Sequence, residues 1–259
     1  MQNIKIIKIG GNVVNDTTVL HAFLKDFANL ESPKILIHGG GVLATTLAEK
    51  LAIKQTIIDG RRITDAATLD IATMVYAGSI NKNIVATLQA MDCNAVGLSG
   101  ADGNLILGHK RVPSSIDYGF VGDIDTVNTN FLQILIENGF LPIVCPIIHD
   151  GTGQLLNTNA DTIASEIAVS LSKIYNVDLL FCFEKLGVLQ DVNDENSIIE
   201  NLDFELFGNL KSKKLIANGM IPKLHNGFLA LQKGVQSVSI CHAKKINHQN
   251  NFIGTKLSL

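Results

Sequence analysis

The residues best suited to chemistry in this chain are lysines and glycines at the ends of apolar runs. Lys8 stands just before Ile9-Gly10-Gly11, where the apolar run 4–9 closes, and the run 34–37 closes on His38-Gly39-Gly40-Gly41. A third glycine-rich stretch, 97–103, follows the strand-like run 94–98. In open α/β sheets, ligands collect beyond the carboxyl ends of the strands. Glycine at such a point lets main-chain N–H groups approach an anion closely, and the N-terminus of a following helix adds a favourable dipole. One glycine pair reads as a tight turn; three in a row after an apolar strand, with a second pair in the same context, point to anion binding. Lys8 at a strand end can meet a phosphate as a mobile point charge. Asp161 falls in the first turn of a helix, where the dipole favours a carboxylate. Lys223 opens another helix behind Pro222, an ordinary helix start. Together these groups form the set that a phosphoryl-transfer site needs.

Other chemistries fit less well. The chain contains no G-x-x-x-x-G-K-[ST] and no G-x-G-x-x-G that opens a dinucleotide-binding unit. The H-G-G-G segment also occurs in the oxyanion loop of lipases, but that reading requires a G-x-S-x-G elbow. The nearest text, Gly97-Leu98-Ser99-Gly100-Ala101, lacks the final glycine. The seven histidines show no H-E-x-x-H or other ligand spacing, so no structural metal is expected. Cys93, Cys145, Cys182 and Cys241 are widely spaced without C-x-x-C, which fits small core hydrophobes in a reducing compartment better than a disulfide framework.

The elements that must hold these residues alternate. Short β-branched runs at 4–9, 34–37, 94–98, 141–145, 178–182 and 237–241 are separated by helical patterns near 17–30, 43–51, 65–91, 130–138, 161–173 and 223–233. Gly78 reads as a break in the long helical region 65–91. Residues 105–128 change to glycine, proline and alternating side chains, the pattern of an antiparallel hairpin, and another hairpin precedes residue 157. Strands alternating with helices predict an α/β, three-layer αβα sandwich around a mostly parallel central sheet, with hairpins added to it. Two lobes, 1–175 and 176–259, are expected to form a single folded unit without a flexible linker. The chain has 259 residues, 46% of them hydrophobic and 17% charged, so it can bury a large core and is not disordered. A net charge of −3 leaves no basic footprint for nucleic acid. No apolar run reaches the ~18 residues of a membrane span, and no leader pattern precedes Lys8, so a cytoplasmic location is expected.

Taken in order, the motifs resemble the acetylglutamate kinase family within the amino-acid kinase superfamily. They are Lys8-Ile9-Gly10-Gly11, His38-Gly39-Gly40-Gly41, Gly60-Arg61-Arg62-Ile63-Thr64, Tyr118-Gly119-Phe120-Val121-Gly122-Asp123, Asn157-Thr158-Asn159-Ala160-Asp161, Gly219-Met220-Ile221-Pro222-Lys223-Leu224 and Gly254-Thr255. The resemblance implies ATP-dependent phosphorylation of the γ-carboxylate of N-acetyl-L-glutamate in arginine biosynthesis. It implies that Lys8 meets the phosphoryl group from the acceptor side and Lys223 from the ATP side. Asp161 would orient both lysines and keep them protonated, and Gly10, Gly11 and Gly39 would offer N–H donors. Gly40, Gly41, Arg62 and Asn157 would hold the acyl-glutamate, and by the same resemblance the hairpins would cover the acceptor site. ATP, as co-substrate with Mg²⁺ on its phosphates, would lie by Glu184, Lys185, Leu186, Gly187, Val188, Leu189, Leu215, Ile216 and Ala217. The chain departs from the family in reading Phe183-Glu184-Lys185 where Ser/Thr-Asp is usual, and in lacking a proline before Gly254-Thr255.

Small-molecule substrates and a homodimer are the expected partners. Ile71, Met74, Val75 and Ile84 form either the dimer surface or an ordinary core face. Arginine-inhibited relatives carry an additional N-terminal helix before the first strand, and a chain with Lys8 so near its start is expected to be insensitive to arginine. Two other readings stand beside this one. The same fold could act on another N-acyl glutamate such as N-succinyl-L-glutamate, with Lys110-Arg111 facing an additional carboxylate, although a solvated turn explains that pair as well. A non-catalytic module sensing ATP or an amino acid would be expected to have lost Lys8, Asp161 or Lys223, and all three are present.

Overall fold

The computed structural model describes residues 1–58, 61–113, 115–191, 194, 197–213, 215–216, 219–246 and 252–259. The chain begins with β1 (Asn3–Ile9), α1 (Gly11–Asn15), α2 (Thr17–Ala28), β2 (Lys34–His38) and α3 (Gly41–Lys50). A short pair, β3 (Ile57–Ile58) and β4 (Arg61–Arg62), precedes α4 (Ala66–Thr73), α5 (Asn81–Gln89) and β5 (Ala95–Leu98). Then come β6 (Ile106–Lys110), β7 (Gly122–Val127), α6 (Thr129–Glu137), β8 (Leu141–Val144), β9 (Ile147–His149), β10 (Leu155–Asn157) and α7 (Ala160–Leu171). The remainder is β11 (Asn176–Phe183), β12 (Asn201–Asp203), α8 (Phe204–Ser212), α9 (Ile221–Gln232), β13 (Ser237–His242) and β14 (Gly254–Ser258).

β1 carries four isoleucines in seven residues, β-branched side chains that pack well on a pleated surface buried on both sides. It accordingly lies inside the main sheet, whose order is β12-β14-β13-β11-β1-β2-β8-β5. β1 pairs in parallel with β11, from Asn3↔Asn176 to Ile9↔Cys182, and with β2 on its other side. The sheet therefore runs unbroken across residue 175. The edge departs from the parallel rule: β14 runs antiparallel to β13, and β12 follows β14. These two strands, at 201–203 and 254–258, add to those expected from the sequence. Side chains of α1 to α5 pack with Ile7 and Ile9 on one face, while α6 to α9 pack with Ile4 and Ile6 on the other, which makes the three layers.

The helical region 65–91 is not broken at Gly78. α4 passes through a π-helical turn, Met74–Ile80, straight into α5. The ~1 kcal/mol that glycine costs a helix is small beside the burial of Val75, Tyr76 and Ile80 on the same turn. Ile71, Val75 and Ile84 are core residues, and of the four apolar residues assigned to this face only Met74 is exposed, at 53%. A second, four-stranded sheet, β10-β9-β6-β7, supplies the expected hairpins, with a bulge between Leu107 and Gly108. Its neighbouring segment is tied to the first half of the chain: Phe120 N–H donates to the Thr64 carbonyl, and Asn157 N–H donates to the Phe120 carbonyl. Among the described residues, no helix is long and apolar enough to cross a membrane.

Candidate active site

Strand alternation sets Lys8 on the face of β1 that carries Ile4 and Ile6, towards α7. There its Nζ lies 2.7 Å from Asp161 Oδ1, while Lys223 Nζ donates to Asp161 Oδ2 at 2.9 Å. Each lysine thus meets its own oxygen of the one carboxylate. Asp161 is placed by the start of α7, where the Asn159 side chain accepts the Asp161 N–H at 2.7 Å. Lys223 is placed by the start of α9, which packs along α7 through Asn226 to Thr162 and Lys233 to Glu166.

The side chains of Lys8 and Asp161 are only 7% and 6% exposed, so the bridge sits in a medium that screens weakly. Burial pushes the Asp161 carboxyl up, but the two ammonium groups together outweigh it and bring the group down to about 2. Lys8 falls below the usual lysine range, chiefly through burial, with Asp161 opposing and Lys223 adding to the fall. Asp161 thus supports the charge on Lys8 against desolvation. Two ammonium groups around one carboxylate leave an excess positive charge, an arrangement that attracts a phosphoryl group.

The glycine turns divide into committed and open donors. Gly10 N–H donates to the Cys182 carbonyl and Gly39 N–H to the Ile9 carbonyl, each extending the parallel pairing by one step. The expectation that these two N–H groups face a phosphate needs correcting: the sheet uses them. Gly11 opens α1 and Gly41 opens α3, and neither helix has a side-chain cap. Their first N–H groups therefore lack intrahelical acceptors. Gly40 is required by close approach, since a Cβ there would lie 2.2 Å from Ile80 Cδ1 and 3.0 Å from Tyr76 Cδ1 on the π-helical turn.

Arg62 lies beside the start of α3. Its Nη2 donates to the Gly41 carbonyl at 2.8 Å and to Thr45 Oγ1 at 2.9 Å, and its Nη1 donates to Gln55. Tyr76 is nearby; burial raises its phenol above the ordinary range and the Arg62 guanidinium opposes the rise. Asn157 ends β10, buried, with Nδ2 donating to Thr64 Oγ1 at 3.1 Å. In the covering segment, Arg111 is paired with Asp123 through Nε and Nη2, and Lys110 lies 5.2 Å over the Phe120 ring. Lys110 and Arg111 are therefore not two free cations.

On the C-terminal side, Glu184, Lys185, Leu186 and Leu189 line a hollow of about 190 Å³ together with His242. Their position follows from β11 and β13, which end side by side at Phe183↔His242. Val188 and Ile216 turn inward instead and are buried, and Val188 N–H donates to Thr255 Oγ1 at 2.8 Å, close beside Gly187. Leu215 is exposed. Gly60 and Ala217 lie outside the described residues. Sequence reasoning missed His242, whose neighbours at 184–189 are distant in the chain, and Gln55 and Tyr76, which the fold brings to Arg62 without a motif to mark them.

The Amino acid kinase family matches residues 3–242 of this chain. An acetylglutamate kinase from Cytophaga hutchinsonii is 51% identical over 99% of this chain and 99% of its own length. One from Phocaeicola vulgatus is 50% identical over 97% of this chain and 98% of its own. Among solved structures, an N-acetylglutamate synthase from Neisseria gonorrhoeae superposes with a TM-score of 0.85 at 21% identity, covering 100% of this chain and 59% of that one. A carbamate kinase from Giardia lamblia superposes with a TM-score of 0.69 at 14% identity, covering 99% and 98%. These two structures share the fold. With half the residues identical over the full length of its relatives, and the lysine–aspartate–lysine bridge and glycine turns in family order, the chain belongs to the amino acid kinase family and, within it, to the acetylglutamate kinases.

Proposed function

We infer that the protein transfers the γ-phosphoryl group of ATP to the γ-carboxylate of N-acetyl-L-glutamate, forming N-acetylglutamyl 5-phosphate and ADP in arginine biosynthesis. The observation that carries this reading is the Asp161 bridge between Lys8 and Lys223, which gathers two cations from separate elements at one buried point. The acceptor carboxylate is already ionised at neutral pH, so no general base is required. Its oxygen forms the new bond to phosphorus as the bond to ADP breaks, and ADP leaves with the electron pair. The barrier lies in bringing anions together, which positioning and charge must overcome.

In this reading Lys8 faces the acceptor side and Lys223 the ATP side, with Asp161 holding both. Gly11 N–H adds a donor to the phosphoryl group, and Gly40, Gly41, Arg62 and Asn157 hold the acyl-glutamate. Arg62 can bind both oxygens of the α-carboxylate in a planar fork once the substrate displaces part of its present contacts. ATP belongs with residues 176–259 at the hollow by Glu184 and His242, and the acceptor with residues 1–175. Mg²⁺ would be carried by the ATP phosphates, where it would neutralise charge during transfer. A homodimer in the cytoplasm completes the proposal.

The test is ADP release with N-acetyl- and N-succinyl-L-glutamate side by side. The commitment of Arg111 to Asp123 supports the acetyl group. Its Nη1 remains buried without a partner, so the succinyl arm is an informative control. Faster turnover of the succinyl compound would move the assignment to that acceptor, and binding without turnover would favour a sensing module.

A further inference from the structure

A chain of polar groups, buried at His38 and Asn81, runs from the edge of the main sheet to the glycine turn, and the proposed chemistry leaves it unused. His38 closes β2 with no exposed surface. Its Nδ1 lies 2.9 Å from the Gly39 carbonyl, and its Nε2 lies 3.2 Å from Nδ2 of Asn81, the first residue of α5. The same Asn81 nitrogen donates to the Ile143 carbonyl at 2.9 Å. Lys82 Nζ donates to Asn81 Oδ1 at 3.2 Å and to the Gly97 carbonyl at 3.1 Å. Gly97 belongs to this arrangement, because a Cβ there would stand 1.9 Å from Asn81 Oδ1.

The contacts fix the proton on the imidazole. A carbonyl only accepts, so Ile143 sets which end of the Asn81 amide is NH₂. That NH₂ also donates to His38 Nε2, which therefore carries no proton, and Nδ1–H donates to the Gly39 carbonyl. The Gly39 carbonyl demands the same tautomer independently. Burial and the nearby Lys8 and Lys82 charges hold the imidazole neutral, bringing it down to about 4 against the opposing bond to Gly39.

In a trans peptide the carbonyl of one residue and the N–H of the next point in opposite directions. Pinning the Gly39 carbonyl towards His38 therefore aims the Gly40 N–H the other way, and the Gly39 N–H is held by Ile9. We propose that His38 is a positioning residue: its Nδ1–H locks the Gly39–Gly40 peptide so that Gly40 N–H faces the acyl-glutamate, with Asn81 bracing the ring from behind. The proposal rests on the reading of Gly40 as an acceptor ligand.

Two amide substitutions separate the two ring nitrogens. In His38→Asn the side-chain NH₂ falls where Nδ1 sits and keeps the bond to Gly39; in His38→Gln the amide oxygen falls where Nε2 sits and accepts from Asn81, and the bond to Gly39 is lost. His38→Gln is expected to raise KM for N-acetyl-L-glutamate about tenfold while changing KM for ATP less than about twofold. His38→Asn should recover most of that loss, with urea midpoints alike for the two variants. Equal KM values in the two variants, or a parallel rise in KM for ATP, would overturn the proposal while leaving the proposed reaction standing. Absence of wild-type turnover on N-acetyl-L-glutamate would instead sink the reaction. ¹⁵N NMR of labelled histidine in the wild-type protein reads the tautomer without turnover, and protonation at Nε2 would overturn the proposal even if neither variant folds.

Discussion

Apart from α5, which continues the π-helical turn, the α-helices among the described residues begin in two ways. α2, α4, α6, α7 and α8 start beneath side chains of Asp16, Asp65, Asn128, Asn159 and Asp203, each accepting an N–H of the first turn. α1, α3 and α9 start at Gly10, Gly40 and Met220 with no such cap. The open starts lie with Lys8, Arg62 and Lys223. A cap satisfies orphan donors but occupies the space an anion would fill. The contrast teaches that the helix ends at the glycine turns beside Lys8 and Arg62 were left open, while the capped ends, including α7 where Asn159 fixes Asp161, commit a first-turn donor to structure. An uncapped start next to a glycine turn is the physical mark of a donor kept for a ligand.

Changes at the open starts should act on turnover, and changes to caps remote from Asp161 on stability alone. The largest effect is expected for Lys8→Met, with kcat lowered roughly 10²–10³-fold and KM little changed, measured by steady-state ADP release. Near-normal turnover would show that the open region is not the reaction centre. Arg62→Ala should raise KM for the acyl-glutamate about tenfold or more and leave ATP affinity alone; selective loss of ATP binding would reverse the assignment of the two sides.

Acid should also strike the open region first. His38 ionises at about 4 in the fold against an ordinary 6.5, so its folded state favours the neutral form. That contribution, about 3 kcal/mol, is complete above pH 6.5 and is lost as pH falls towards 4. The Asp65 carboxyl, held low mainly by its bonds to Thr68, keeps its contribution above the ordinary carboxylate range and loses it only at lower pH. Urea midpoints measured from pH 7 to pH 4 should decline in the wild type and decline less in His38→Asn. Equal slopes would break the distinction.

Gly10→Ser tests the trade directly. Gly10 has φ −77° and ψ 168°, which suit a serine cap, and the nearest atom to an added Cβ is 3.7 Å away. The variant should gain about 0.3 kcal/mol of stability while kcat/KM falls roughly tenfold, because the new hydroxyl competes for the donors of α1. The smallest effect belongs to Asp203→Ala, which should cost about 1 kcal/mol in urea unfolding and leave both kinetic constants unchanged.

Much of this was legible in the text of the chain, and the rest was hidden for physical reasons. Lys8, Asp161 and Lys223 could be found because strand ends, helix starts and glycine runs are local patterns. The commitment of Gly10 and Gly39 N–H could not, because the acceptors at Cys182 and Ile9 are defined by the register of other strands. The same holds for the His38–Asn81 contact, whose partners are 43 positions apart. Gly78 misled because intrinsic helix preference is a weak prior that packing overrides. α1, at five residues, is too short to display a period. Glu184, Lys185, Leu186 and Leu189 line a hollow as expected, but nothing local revealed that Val188 and Ile216 turn inward.

The inner place of β1 also bears on how the molecule is assembled in the cell. Lys8 is translated 153 residues ahead of the carboxylate it needs, and the neighbour strand β11 comes later still. At a synthesis rate of ~5–20 residues per second, this ammonium group waits roughly 8–30 s on the ribosome before its counter-charge exists. Until then burying it would be unfavourable, so water must retain the first strand, and the sheet can close around it only after most of the chain has emerged.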